Sequence, residues 1–282
     1  MDSFRTADGR TLAYRREGSG PLLVCHPGGP GFSSRYFGDL CGLGERFTLI
    51  LVDPRGTGGS DRPADERAYT TEDYVADLEE LRGHLALERM LLLGHSHGGV
   101  VTAAYAAAHP GRVERLVLAS TLARFGEEQQ QAMAEAMEAH AGEPWYADAR
   151  EALEREEAGD FADADELHEL VGREMPFYFA RYGDAERDYV AWLGEERPNK
   201  DALQLFNTEI MATFDLRPGL PGITAPTLVI TGELDFITGP VCAADFAGIP
   251  GQRTVIIPGA GHFILFETRD RFRDEVTAHL SE

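Results

Sequence analysis

The stretch Met90-Leu91-Leu92-Leu93-Gly94-His95-Ser96-His97-Gly98-Gly99-Val100-Val101 decides the fold. A run of apolar residues reads as a buried strand, and the alanine-rich residues that follow read as a helix. A single serine sits between them, with glycines two residues before and two residues after it. This G-x-S-x-G pattern marks a sharp strand-to-helix turn that holds the serine Oγ exposed at the C-terminal edge of a sheet. Small residues are needed there because the helix must pack close against the strand. A strand feeding a helix in this way predicts the α/β class, with a mostly parallel central sheet flanked by helices.

Working outward, a nucleophilic serine needs a base to take its proton and an acid to orient that base, in the chain order Ser, Asp or Glu, His. Downstream, Thr227-Leu228-Val229-Ile230-Thr231-Gly232 reads as a strand closed by a turn that carries Asp235. Arg253-Thr254-Val255-Ile256-Ile257 reads as another, followed by Pro258-Gly259-Ala260-Gly261-His262. Ser96, Asp235 and His262 thus fall on loops of one sheet edge and form the candidate catalytic set. The strand Val113-Glu114-Arg115-Leu116-Val117-Leu118-Ala119-Ser120 ends without a carboxylate, which leaves Asp235 uncontested. His95 and His97 are expected to point away from Ser96, and His26 lies on a different loop.

An acyl-transfer intermediate also requires N–H donors for its oxyanion. The His97 backbone supplies one candidate. Leu22-Leu23-Val24-Cys25-His26 runs into Pro27-Gly28-Gly29-Pro30-Gly31, and this loop supplies the other from Gly29, with Gly28 as the alternative.

Three segments taken together, Gly28-Gly29-Pro30-Gly31, Asp53-Pro54-Arg55-Gly56-Thr57-Gly58-Gly59-Ser60 and Gly94-His95-Ser96-His97-Gly98-Gly99, resemble the proline iminopeptidase branch of the α/β-hydrolase superfamily. The likeness to its H-G-G-P-G and D-x-R-G-x-G-x-S signatures runs in order from about residue 10 to the C-terminus and omits much of the middle. Two positions differ. Pro27 stands where the family histidine precedes the paired glycines, and His95 and His97 flank Ser96 where strict proline iminopeptidases often read G-G-S-W-G. The resemblance implies a serine aminopeptidase that works through an acyl-enzyme and needs no cofactor or metal.

The βα alternation predicts strands at about 11–16, 21–25, 47–52, 90–94 and 113–119, and helices between the second and third of these and at about 71–87 and 97–109. It breaks after residue 120 and resumes near 225. Between these points the pattern is helical, at 127–141, 145–158, 164–174, 176–182 and 200–212. We therefore divide the chain into an α/β-hydrolase core of residues 1–120 and 217–282 and a helical cap of residues 121–216, inserted after the sixth core strand. The cap holds 24 Asp and Glu against 8 Lys and Arg, so it carries most of the net charge of −22. In the aminopeptidases that the chain resembles, cap glutamates hold the protonated α-amine of the substrate. Glu209 and Glu174 lie amid aromatic sequence and are the candidates for that role.

The strongly negative charge argues against nucleic acid and anionic membranes as partners. Cys25, Cys41 and Cys242 are odd in number and widely spaced, and they read as core thiols. The first ten residues are polar and contain no apolar signal region, so the expected compartment is the cytoplasm. A short-peptide or other small-molecule substrate is the expected partner. The same residues would serve an esterase, a lactonase or an amide hydrolase acting on a small metabolite, or a binding protein that uses the pocket without turnover.

Overall fold

A computed structural model describes residues 1–281. Its eight strands are β1 (Asp2–Arg5), β2 (Thr11–Gly18), β3 (Leu22–His26), β4 (Thr48–Val52), β5 (Met90–His95), β6 (Val113–Ala119), β7 (Thr227–Gly232) and β8 (Arg253–Ile257). They form one sheet in the order β1-β2-β4-β3-β5-β6-β7-β8. Pairing is antiparallel for β1 with β2 and for β2 with β4, and parallel across the rest. Strands β3 and β5 are buried almost along their whole length, as expected for strands covered on both faces.

The chain leaves β3 toward β4 on one side and returns to β5 on the other. Such a reversal opens a crevice beyond the C-terminal ends of the two strands, where α/β sheets bind ligands. The loop after β3 carries Gly28 and Gly29, and the turn after β5 carries Ser96.

Helices α1 (Thr71–His84) and α2 (His97–Ala108) contribute to one apolar layer, in which Tyr74, Leu78, Val101 and Tyr105 pack on Val24, Ile50 and Leu92. Between β6 and β7 lie α3 (Glu127–Glu138), α4 (Tyr146–Glu157), α5 (Ala164–Glu174), α6 (Asp184–Leu193) and α7 (Lys200–Leu205). Short α8 (Pro240–Ala244) and α9 (Ile264–Glu267) precede the terminal α10 (Arg269–Ser281), whose Phe272 and Val276 join the apolar layer on the opposite face of the sheet.

Several expectations change. The segment between β3 and β4 holds 3-10 turns, Ser34–Phe37 and Leu40–Glu45, in place of an α-helix. Cys41 and Gly42 adopt positive φ of 59° and 78°, which no α-helix accommodates. Residues 176–182 form one 3-10 turn at Met175–Tyr178 because Phe179 turns extended. The last expected helix of the insertion ends at Leu205 and continues as a π turn, Phe206–Ile210. Two elements, β1 and α6, escaped the sequence pattern. The former is a four-residue edge strand, and the latter packs Tyr189, Val190 and Leu193 only partly buried against the core.

Candidate active site

Ser96 has φ 55° and ψ −127°, a strained conformation for a residue with a Cβ, imposed by the packing around it. A Cβ at Gly94 would sit 2.3 Å from both the Gly98 carbonyl and Thr102 Oγ1, and one at Gly98 would sit 2.2 Å from the His26 carbonyl. The elbow can therefore close only with glycines at both places. Gly28 meets the same turn from the other side, where a Cβ would lie 2.6 Å from the Ser96 Cβ.

Asp235 and His262 come together as their spacing predicts. His262 Nδ1 lies 3.0 Å from Asp235 Oδ2, and both residues are buried. Because a carboxylate only accepts, Nδ1 carries a proton, and in the neutral tautomer Nε2 is the nitrogen that can accept one. The Asp235 carboxylate is fully engaged. Its Oδ1 accepts the N–H groups of Ile237 at 3.1 Å and Thr238 at 2.9 Å, and its Oδ2 accepts the hydroxyls of Thr238 at 2.6 Å and Thr231 at 3.3 Å. Burial works to raise this carboxyl, but His262 and the Thr238 bonds outweigh it and hold it at about 2. Thr238 Oγ1 also lies 3.0 Å from His262 Nδ1. Sequence reasoning missed Thr238, whose only signal was its place three residues after Asp235.

Ser96 and His262 face one cavity of about 170 Å³, together with Gly28, Gly29, Tyr36 and His95. Phe32, Ile237 and Phe263 of the core also line it, and the rest of its wall comes from the segment between β6 and β7, including Glu156, Glu174, Tyr178, Val190 and Leu203. The segment is tied down at its edges. His262 N–H donates to the Tyr178 carbonyl at 2.8 Å and Asn199 N–H to the Gly31 carbonyl at 2.8 Å. A smaller cavity, also bordered by Ser96, Gly29 and His97, extends toward Glu157, Phe206 and Asn207.

The oxyanion candidates separate. His97 is the first residue of α2, so its N–H has no partner within the helix, while its ring packs edge-on against Tyr74 and Phe206. Gly29 borders both cavities. Gly28, the alternative, is excluded because its N–H already donates to Tyr36 Oη at 2.5 Å. His95 bonds Tyr36 and packs its ring 4.9 Å from that of His262 in the wall of the same cavity, and His26 bonds its own loop at the Pro27 carbonyl.

The two cap candidates have opposite fates. Glu209 is 46% exposed, forms a surface ion pair with Arg67 at 2.5 Å, and borders neither cavity beside Ser96. Its aromatic neighbours in sequence turn inward while it turns out, so the structure removes it from the site. Glu174 is 3% exposed. Its Oε1 accepts the Tyr178 hydroxyl at 3.3 Å, and its Oε2 is buried without a hydrogen-bond partner among the described residues. Burial first, then the charges of Glu156 and Glu157, push the Glu174 carboxyl well above the ordinary range. Glu156, which sequence reasoning missed, accepts from Asn207 Nδ2 at 2.8 Å and is raised by burial and by Glu157 to about 8. A signal for both existed in the helices. Glu156 extends the apolar face of Ala149, Ala152 and Leu153, and Glu174 extends that of Leu167 and Leu170. Each occupies a place where helical periodicity calls for a hydrophobic residue.

Among the described residues no group of His, Cys, Asp and Glu is arranged to hold a metal ion, and no helix is long and apolar enough to cross a membrane.

Comparison with known proteins agrees with this architecture. The profile of the alpha/beta hydrolase fold matches residues 21–268. A proline iminopeptidase of Saccharolobus solfataricus is 28% identical over 95% of this chain and 87% of its own. A 2-(acetamidomethylene)succinate hydrolase of Mesorhizobium japonicum is 30% identical over 90% of this chain and 86% of its own. The crystal structure of an enol-lactonase from Burkholderia xenovorans superposes with a TM-score of 0.77 at 27% identity, covering 100% of both chains. The chain is a hydrolase of the α/β-hydrolase family, similar in sequence to proline iminopeptidases.

Proposed function

We propose that the protein is a serine aminopeptidase that releases the N-terminal residue of short peptides through an acyl-enzyme. Ser96 attacks the scissile carbonyl, His262 Nε2 takes its proton and returns it to the leaving amine, and Asp235 holds the imidazole in the required tautomer. The N–H groups of Gly29 and His97 receive the oxyanion. The helices between β6 and β7 act as the cap that shapes the substrate pocket.

The observation that carries the choice of substrate is the unpartnered Glu174 Oε2, buried in the wall of the cavity that Ser96 borders. A buried carboxyl without a partner is costly, and a bound ammonium relieves that cost by supplying both charge and donors. The free α-amine of a peptide, held between Glu174 and Glu156, places the first peptide bond at Ser96. A small-metabolite acyl hydrolase is the second reading, supported by the similarity to the succinate-derivative hydrolase and the enol-lactonase. Among the described residues no Lys or Arg borders either cavity, so an anionic substrate would find no fixed positive charge there. This second reading accordingly takes neutral esters, lactones and amides, and from the succinate-derivative hydrolase it draws only the acyl-hydrolase chemistry, not the anionic substrate.

A panel of aminoacyl-naphthylamides, free or N-acetylated, tests the proposal beside neutral nitrophenyl esters. The free amines are expected to react at least ~10-fold faster, equivalent to about 1.4 kcal/mol of transition-state binding. Equal rates with and without the acetyl group, or turnover of esters alone, would replace the aminopeptidase with the neutral-acyl hydrolase.

A further inference from the structure

A chain of hydrogen bonds that the mechanism above does not use links the loop after β3 to the loop after β8. Gly28 N–H donates to Tyr36 Oη at 2.5 Å, Tyr36 Oη lies 2.9 Å from His95 Nδ1, and His95 Nε2 lies 3.2 Å from the His262 carbonyl. Elementary donor counting fixes the protons. The His262 carbonyl only accepts, so Nε2 of the neutral His95 ring carries the hydrogen and Nδ1 is bare. The Tyr36 hydroxyl must then donate to Nδ1, which leaves its oxygen free to accept from Gly28. One assignment satisfies every member, and all members are buried. Burial, with the neighbouring His262, depresses His95 to about 3, so the ring stays neutral as the assignment requires. Stacking on Phe263 and edge contact with Phe37 hold the ring in place.

Gly28 has no side chain with which to anchor itself, and its close approach to Ser96 forbids one. Its N–H bond to Tyr36 therefore sets the orientation of the loop where it passes the nucleophile. Turning that N–H toward Tyr36 leaves Gly29 as the loop's donor toward the cavity. We propose that Tyr36 and His95 are positioning residues that lock the Gly28-Gly29 segment to the His262 backbone, so that the oxyanion donor and the base keep a fixed relation across Ser96. The proposal rests on the serine-hydrolase reading given above.

Tyr36→Phe keeps the ring and removes only the hydroxyl. Turnover of p-nitrophenyl acetate is measured per active site, with active sites counted by fluorophosphonate labelling, so a misfolded fraction does not enter kcat. The expected result is a fall in kcat of about 10- to 100-fold with KM changed less than about twofold, smaller than the ~10²–10³ lost when an oxyanion donor is removed outright. His95→Asn offers a side-chain oxygen near the place of Nδ1, and it is expected to retain more kcat than His95→Leu. Wild-type kcat in Tyr36→Phe, a loss confined to KM, or equal kcat in the two His95 variants would overturn the proposal while leaving the hydrolase intact. Absence of label on Ser96 in the wild-type chain would overturn the serine-hydrolase reading itself, and the positioning role with it.

Discussion

The loops at the C-terminal sheet edge and the helices between β6 and β7 bury comparable chemistry in opposite conditions. In the loops, the Asp235 carboxylate accepts from Ile237, Thr238, Thr231 and His262 and is held at about 2. In the helices, Glu174 has one long bond to Tyr178 and an unpartnered oxygen, and Glu156 is raised to about 8. Low polarity strengthens a satisfied network and penalises an unsatisfied one. One region is therefore complete without substrate, while on the proposed reading the other is completed by it. In the proposed mechanism, chemistry that works on any acyl group sits in the first, and selection among substrates belongs to the second.

The largest expected effect tests the completed region. Ser96→Ala is expected to lower kcat by about 10³–10⁶ because the triad acts as a unit, with the unfolding midpoint nearly unchanged. Steady-state kinetics beside a thermal scan checks both, and a variant that keeps a tenth of the activity would remove Ser96 from the role. Next, Asp235→Asn is expected to cost about 10³–10⁴ in kcat, since the amide cannot hold the imidazole in the same tautomer. A mild loss would point to another acid.

The unfinished region yields smaller effects of a different kind. Glu174→Gln is expected to erase most of the preference for a free over an acetylated N-terminus, a change of about 10-fold. Hydrolysis of a neutral ester should stay within about twofold in that variant. If both substrates slow together, Glu174 supports the fold instead of the amine.

Stability should distinguish the same regions by pH. In the folded chain Glu156 keeps its proton up to about pH 8, whereas an unfolded glutamate loses it near ~4.3. The folded state therefore binds more protons in that window, and stability falls as pH rises through it. Asp235 behaves oppositely, since its carboxyl is depressed to about 2. Its contribution is present above the ordinary aspartate value of ~3.9 and is lost as pH falls toward its folded value. Glu156→Gln is expected to make the fall between about pH 5 and pH 8 shallower in a thermal scan, with the raised Glu174 carrying the rest, and to leave the acid limb unchanged. A variant curve parallel to wild type between about pH 5 and pH 8 would show that Glu156 is not the group responsible. Last, Glu209→Gln is expected to change neither kcat/KM nor the ratio of free to acetylated rates, because its partner Arg67 lies at the surface.

Much of this comparison was legible in the chain. The elbow around Ser96 was legible because Gly94 is demanded by contacts with residues four and eight positions away, and Gly98 by the end of the adjoining strand β3. Asp235 and His262 were legible for a related reason, as each follows a short strand in a parallel sheet, and parallel strands present their C-terminal loops on one edge. The helical insertion was less transparent. Its existence followed from the loss of βα alternation, but Glu174 and Glu209 could not be told apart by their aromatic neighbours in sequence. Their fates depend on which face of a helical turn meets the sheet edge, and the π turn at Phe206–Ile210 shifts that face just where Glu209 stands.

The sequence by itself determined the α/β class, the elbow, the order of the three candidate catalytic residues and the helical character of residues 121–216, because all depend on strand parity, glycine spacing and periodicity within short windows. Only the tertiary structure decided that Gly28 is spent on Tyr36, that Thr238 shares the Asp235–His262 pair, and that Glu156 joins Glu174 while Glu209 faces solvent. Those outcomes are set by groups separated by 3 to more than 100 residues along the chain. The fates of Glu156, Glu174 and Glu209 come from the packing of the insertion over the sheet, and those of Gly28 and Thr238 from the way the core loops close against one another at the sheet edge, which no local pattern encodes.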